Sequence, residues 1–353
     1  MVERASPIGG RPRLTIAVPV FNVAPELIEE AVGSALRLRL PIEVVLVDDG
    51  STRREVVACV DRLASSDPRV RLLRQENRGL NGARNTALRA ARGEWLTILD
   101  PDDRVASAAA DVLHGLAPDV DVLLASAGGF AASGTGTEAY DLTGFPERPD
   151  PATVVADLLA IFNHGRESSS FLVAVTWAKV FRVDFLRGSG LWFDETLVKR
   201  EDAEWMLRVL HATDRIAVSH SRFVDYRYGV AGSGSRRYDE RIVAGHVEIG
   251  RRLDGFSTVS AELRQLYKVE LIKDAINAVF THPDAPRRMH GRDAYLAFRD
   301  ELSVDLPLWR LGALQGAPLS RRLLYVVIRR RWHGPLRVLT LGRRLARRTR
   351  RSC

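Results

Sequence analysis

Acidic side chains cluster at two places in the first third of the chain, Asp48-Asp49-Gly50-Ser51 and Asp100-Pro101-Asp102-Asp103. Crowded carboxylates repel unless a cation or a hydrogen-bond donor shares the space. Hard divalent ions such as Mg2+ and Mn2+ take oxygen ligands and keep positions open for phosphate oxygens. The pattern therefore points to a site for a metal and a diphosphate. Either cluster alone reads as readily as turn and helix-cap chemistry, because Asp and Ser are favoured N-cap residues. Their weight comes from recurring at the ends of two strands.

Those strands are legible. Leu14–Val20 is β-rich, and the segment from Ala24 to Leu36 has apolar residues at helical spacing. Ile42–Val47 is a nearly continuous apolar run, as in a parallel strand covered on both faces, and it stops at the first acid cluster. A helix over Glu55–Ala64, a strand over Val70–Leu73, a helix over Asn81–Ala91 and a strand over Trp95–Leu99 continue the alternation, and the second cluster follows. In an open parallel sheet, ligands sit beyond the carboxyl ends of the strands, which is where both clusters fall. The fold class expected is α/β and Rossmann-like, with a mainly helical C-terminal region.

The run Val18-Pro-Val-Phe-Asn22, Val47-Asp-Asp-Gly-Ser-Thr52, Glu76-Asn-Arg-Gly-Leu-Asn-Gly-Ala-Arg-Asn85 and Leu99-Asp-Pro-Asp-Asp103 resembles the family 2 glycosyltransferases of bacteria, which have the GT-A fold. The resemblance implies inverting transfer from a nucleotide sugar, often a UDP-sugar, with Mn2+ or Mg2+ held by an Asp-x-Asp motif. Carried onto this chain, it implies that Pro19, Val20 and Asn22 line the nucleotide pocket and that Asp49, or its neighbour Asp48, accepts a hydrogen bond from the base. Asp100 holds the ribose or supports the site, and Asp102 ligates the metal. Gly79 and Gly82 allow close backbone approach, and Arg84 and Asn85 add polar contacts. Pro101 stands where a small polar residue is more common. Thr176–Arg182 and Phe193–Glu204 resemble two later blocks. Inverting transfer needs a carboxylate to take the acceptor's proton; Asp202 is the expected base and Glu201 its alternate, against the plain reading of an acidic helix N-terminus. Lys179 is expected to meet diphosphate or acceptor. Trp177 either stacks on a sugar or belongs to the core side of an amphipathic helix starting there. Tyr226–Arg237 resembles the family's short Ser-containing loop that closes over the donor, in which Arg236 or Arg237 is expected to meet phosphate oxygens.

Composition bounds the rest. The chain is 46% hydrophobic and 27% charged, ordinary values for a globular protein. Residues 321–353 hold twelve arginines and no acid, so of the formal +8 they leave −4 for residues 1–320. Such a region suits an anionic partner: the apolar run Leu323–Ile328 beside arginines fits an interfacial segment too short to span a bilayer. Two cysteines, Cys59 and Cys353, suggest no disulfide, and no signal peptide is read at the start. The eight histidines show no zinc spacing. The expected location is cytoplasmic, extending to peripheral attachment on the inner face of a membrane. The expected division is 1–12 extension, 13–237 catalytic domain, 238–320 helical region, with helices near Ile242–Leu253, Ala261–Phe280 and Ala294–Leu302, and 321–353 Arg-rich tail. Expected partners are a nucleotide-sugar donor and a glycan, polymer or lipid-linked acceptor in cell-surface polysaccharide synthesis, with homo-oligomers left open and no specific nucleic acid, since no folded nucleic-acid module is recognisable. Two rival readings remain: a non-catalytic scaffold on the same fold, and a nucleotidyltransferase. The latter fits poorly because the loop Pro19–Pro25 lacks the Gly-rich triphosphate cradle.

Overall fold

A computed structural model describes residues 11–131, 137–161, 169–228, 238–304, 319–332 and 334. The chain forms two compact units: residues 1–151, 172–195 and 201–230 make the first, and residues 152–171, 196–200 and 231–353 the second. The second thus takes in residues 152–171, 196–200 and 231–237, which the sequence division assigns to the catalytic domain.

The first unit is built on one sheet. Its strands are β1 (Leu14–Val20), β2 (Ile42–Asp48), β3 (Val70–Arg74), β4 (Trp95–Ile98), β5 (Arg104–Val105), β6 (Val122–Ala131), β7 (Thr137–Tyr140), β8 (Lys179–Arg182) and β9 (Ile216–Tyr228). They lie in the order β3-β2-β1-β4-β8-β6-β9-β5, with β7 paired to β6. The pairs β2–β3, β1–β2 and β1–β4 are parallel, whereas β8 runs antiparallel to both β4 and β6. Every residue of β1 and β2 is buried, as their nearly continuous apolar runs require when helices cover both faces of a sheet. The crossover helices are α1 (Pro25–Leu36), α2 (Arg54–Ser66) and α3 (Gly79–Ala90). Pro25 opens α1, where its missing N–H costs nothing.

The register sets the acids on one edge. Val20 lies opposite Asp48, Asp49 N donates to Val20 O at 2.9 Å, and Leu99 N donates to Ala17 O at 2.9 Å. The strands β2 and β4 therefore flank β1 and deliver both acid clusters at their carboxyl ends.

Four shorter helices follow: α4 (Ala109–His114), α5 (Pro151–Leu159), α6 (Ser169–Ala174) and α7 (Val183–Gly188); α8 (Glu201–His211) then carries the acids of the later block. The helix expected to start at Trp177 is absent. Ala178 takes a left-handed backbone (φ 56°), and β8 begins at Lys179, inserted between β4 and β6, with Val180 and Phe181 fully buried. Pairing on both sides overrides the helical spacing.

The second unit is helical. It contains α9 (Arg241–Gly255), α10 (Ala261–Ala275) continued by a π turn over Ile276–Phe280, a 3-10 turn over Arg287–His290, α11 (Arg292–Glu301) and α12 (Leu319–Arg329). Ser260 caps α10 by accepting from Leu263 N. Arg200, itself left-handed (φ 62°), pairs with Glu270 and Asp274 of α10.

Candidate active site

Arg84 is the centre of the candidate site. It lies on α3 with its side chain 1% exposed, and its Nη1 donates to Asp202 Oδ1 at 2.5 Å. Glu201 Oε1 is 3.9 Å from Nη1, and Asp100 Oδ1 is 4.0 Å from Nη2. One guanidinium thus gathers a carboxylate from the end of β4 and two from the start of α8. The carboxylates keep an open side, with side-chain exposures of 29% for Asp100, 19% for Glu201 and 21% for Asp202.

The neighbourhood explains why Arg84 stays in place. Its guanidinium lies over the Phe193 ring at 5.3 Å, and Phe193 stacks on Trp205 at 4.1 Å, with the Trp205 indole N–H donating to Leu191 O. Asn85, the next residue of α3, donates to Phe193 O and Glu195 Oε1 and accepts from Phe193 N. Asn81 donates to Asp194 O, and Arg78 forms a two-pronged pair with Glu195. Residues 193–195 are therefore laced to α3 and its N-cap Arg78.

The electrostatics follow from crowding. Burial, with Asp102 and Asp202 adding repulsion, pushes the Asp100 carboxyl up to about 6 against the pull of Arg84. Burial and Asp202 push Glu201 up to about 7, again opposed by Arg84. Burial raises Asp102, while its own backbone N–H and Arg227 oppose. Asp103 is raised further, by burial and Asp100; its Oδ1 accepts from Arg227 N at 2.7 Å and its buried Oδ2 has no hydrogen-bond partner. Burial alone would lower Arg84, yet Asp202, Asp100 and Glu201 together raise it.

The loop 100–103 is clamped from β9. Arg227 donates through Nε to Asp102 O at 2.9 Å, pairs through Nη2 with Glu30 of α1, and stacks over Phe130. Among the described residues, no three His, Cys, Asp or Glu side chains are grouped to hold a metal by themselves. The donor set still fits Mg2+ or Mn2+ arriving with a diphosphate, because such ions bind through one or two carboxylates plus phosphate oxygens and water. Asp102 is a half-exposed carboxylate that an added cation would relieve.

The remaining expected residues divide by what they touch. Asp49 Oδ1 accepts from Gln75 Nε2 at 2.6 Å and Arg78 N at 2.9 Å, while its Oδ2 takes part in neither bond. Asp48 Oδ1 closes the turn by accepting from Ser51 N. Asn22 (φ 53°) accepts through Oδ1 from Thr52 N and Arg53 N, bracing the entry to α2. Pro19 and Val20 are buried at the end of β1. Gly79 (φ 76°) has open space around its would-be Cβ, whereas a Cβ on Gly82 would meet Arg78 at 2.5 Å. Lys179 is wholly buried, its ammonium donating to Leu172 O and to Trp177 O, and burial pulls it down to about 7 with Asp202 opposing. Trp177 is 3% exposed and stacked on Tyr226 at 4.9 Å. Arg236 and Arg237 lie outside the described residues. Sequence reading gave no role to Arg78, Glu195, Glu30 or Arg227; the only signal was that Arg78, Glu195 and Arg227 stand inside the recognised blocks.

A sheet of this order, with acid-tipped parallel strands on both sides of the first strand and a helical complement, is the GT-A fold of nucleotide-sugar transferases. Residues 15–119 match the family model described as glycosyl transferase family 2. It is 30% identical over 219 residues to the glycosyltransferase EpsJ of Bacillus subtilis, covering 61% of each chain. It is 43% identical over 96 residues to the succinoglycan biosynthesis protein ExoO of Rhizobium meliloti, covering 27% of this chain and 26% of that one. The chain thus spans less than two thirds of the length of these relatives. Among solved structures, S. aureus TarS 1-349 in complex with UDP-GlcNAc superposes with a TM-score of 0.62 at 19% identity, covering 95% of this chain and 92% of that one.

Proposed function

We propose that the protein transfers a sugar from a nucleoside diphosphate sugar, a UDP-sugar by preference, to an acceptor hydroxyl with inversion at the anomeric carbon. The observation that carries this reading is the convergence on Arg84 of Asp202, at the head of α8, and Asp100, in the Asp-x-Asp loop. It brings the expected base and the expected diphosphate loop within reach of one guanidinium.

In this reading Asp202 accepts the proton of the acceptor hydroxyl as that oxygen bonds to the anomeric carbon, and the bond to the diphosphate breaks with its electrons leaving on the diphosphate. Arg84 orients Asp202 by donating to its Oδ1. Asp49 Oδ2 is free of the Gln75 and Arg78 bonds and can accept an N–H of the base. Asp102 would hold Mn2+ or Mg2+, whose charge offsets that of the leaving diphosphate when bound. Gly79 leaves room for the donor to approach the backbone. The acceptor is a glycan, a polymer or a lipid-linked saccharide of cell-surface polysaccharide synthesis. The names of ExoO and of TarS, a poly(ribitol-phosphate) β-N-acetylglucosaminyltransferase, support that class. The Arg-rich C-terminal region suits an anionic surface at which a lipid-linked acceptor is held.

Calorimetry with a panel of nucleoside diphosphates, with Mn2+ or Mg2+ and then with chelator, tests the donor site. We expect metal-dependent binding of one diphosphate, lost in Asp102→Asn. Asp202→Asn should keep that binding while turnover falls roughly 10²–10⁴-fold, the usual contribution of a general base. Equal loss of donor affinity in both variants removes the division of labour, and no binding to any diphosphate favours the scaffold.

A further inference from the structure

We infer that the outer face of α12 is a membrane-docking surface for an anionic bilayer. This helix buries Tyr325 (1% exposed) and Ile328 (0%), packs against α10, and is tied to α11 by Arg299 Nε donating to Ile328 O at 3.0 Å. At 3.6 residues per turn, Leu319, Leu323 and Val326 fall on the face turned away from that packing. Leu319 is 72% exposed and Leu323 57%, and Trp332, just past the helix, is 52% exposed. Among the described residues five large apolar side chains are exposed, and the three most exposed fall within these fourteen positions. Scattered exposed leucines need no explanation, but a stripe of them does.

The occupant follows from charge. Arg322 and Arg330 stand exposed beside the stripe, and from residue 321 to the end the chain has twelve arginines and no acid. A second copy of this chain would bring like charge against like. A nucleic acid would satisfy the arginines and leave Leu319, Leu323 and Trp332 in water. An anionic bilayer meets both needs, taking the apolar side chains at its acyl boundary and the guanidinium groups among its headgroups. No helix among the described residues is long and apolar enough to cross a membrane, so α12 would lie along the surface. The face deepens the sugar-transfer reading, on which it rests for its purpose, by fixing which side of the second unit would meet a lipid-held acceptor.

The test is co-sedimentation of the full chain with vesicles of phosphatidylcholine alone and of phosphatidylcholine with phosphatidylglycerol, without donor or acceptor. We expect salt-sensitive binding to the anionic vesicles only. It should fall about tenfold or more in Leu319→Ser/Leu323→Ser, as removal of two membrane-buried leucines requires, and in Trp332→Ser by a smaller factor, with the unfolding midpoint and diphosphate binding unchanged. Binding that is equal for the double variant, or equal for neutral vesicles, overturns the inference. So does a concentration-dependent dimer that the same substitutions abolish, which would assign the face to a second copy. Failure of diphosphate binding with vesicle binding intact would instead strike the sugar-transfer reading.

Discussion

Arg84 is a wholly buried cation whose neighbours are acids with one side open to solvent, so its removal exposes the repulsion it now offsets. We expect Arg84→Met to cost on the order of 3 kcal/mol of stability, as breaking a buried ion pair does, measured by denaturant unfolding. Arg84→Lys should recover only part of it, because a point charge cannot serve two directions as a planar fork does. Glu201 gives a pH signature. With its carboxyl pushed from the usual 4.5 up to about 7, the folded chain retains a proton that the unfolded chain has released. Its stabilising contribution is complete below about pH 4.5 and is lost as pH rises through about 7. Glu201→Gln should flatten the stability profile over that window, and an unchanged slope in thermal melts would count against this assignment. At this scale the sequence offered candidate residues and not what they touch. Arg84 and Asp202 each stand in a recognisable block, but their bond joins positions 118 residues apart, a separation no local pattern encodes.

The element that positions most of the site is α3, and its attachment to the loop 191–195 rests on amide groups. Asn85 is 2% exposed and satisfies both backbone groups of Phe193. Asn85→Leu would leave those groups unpaired, at a cost on the order of 3 kcal/mol. Denaturant midpoints would check this, and turnover should fall with them as the Phe193 support under Arg84 loosens. The strands β1–β4 were legible to within a residue or two, because short β-rich runs, two of them ending in acids, leave few alternatives. The antiparallel insertion of β8 was not. Lys179-Val-Phe-Arg182 is too short to show a strand period, and only its pairing with β4 and β6 makes it one.

For the whole molecule, the C-terminal region divides into a packed part and a part outside the described residues. The sequence read Leu323–Ile328 as one apolar cluster, whereas the helix turns Tyr325 and Ile328 inward and Leu323 outward. Truncation before Leu319 is therefore not the removal of a tail. Ile328→Ala should destabilise the second unit by about 2–5 kcal/mol, the range for buried aliphatic truncations, readable by denaturant unfolding, while diphosphate binding in the first unit is retained. The long reach of the Arg84–Asp202 bond also has a consequence for biogenesis. At the ordinary pace of translation, Arg84 leaves the ribosome on the order of ten seconds before Asp202. For that interval the nascent chain carries a cation destined for burial whose principal counter-ion has not been made, so the nascent sheet cannot close around Arg84 until Asp202 has been synthesised.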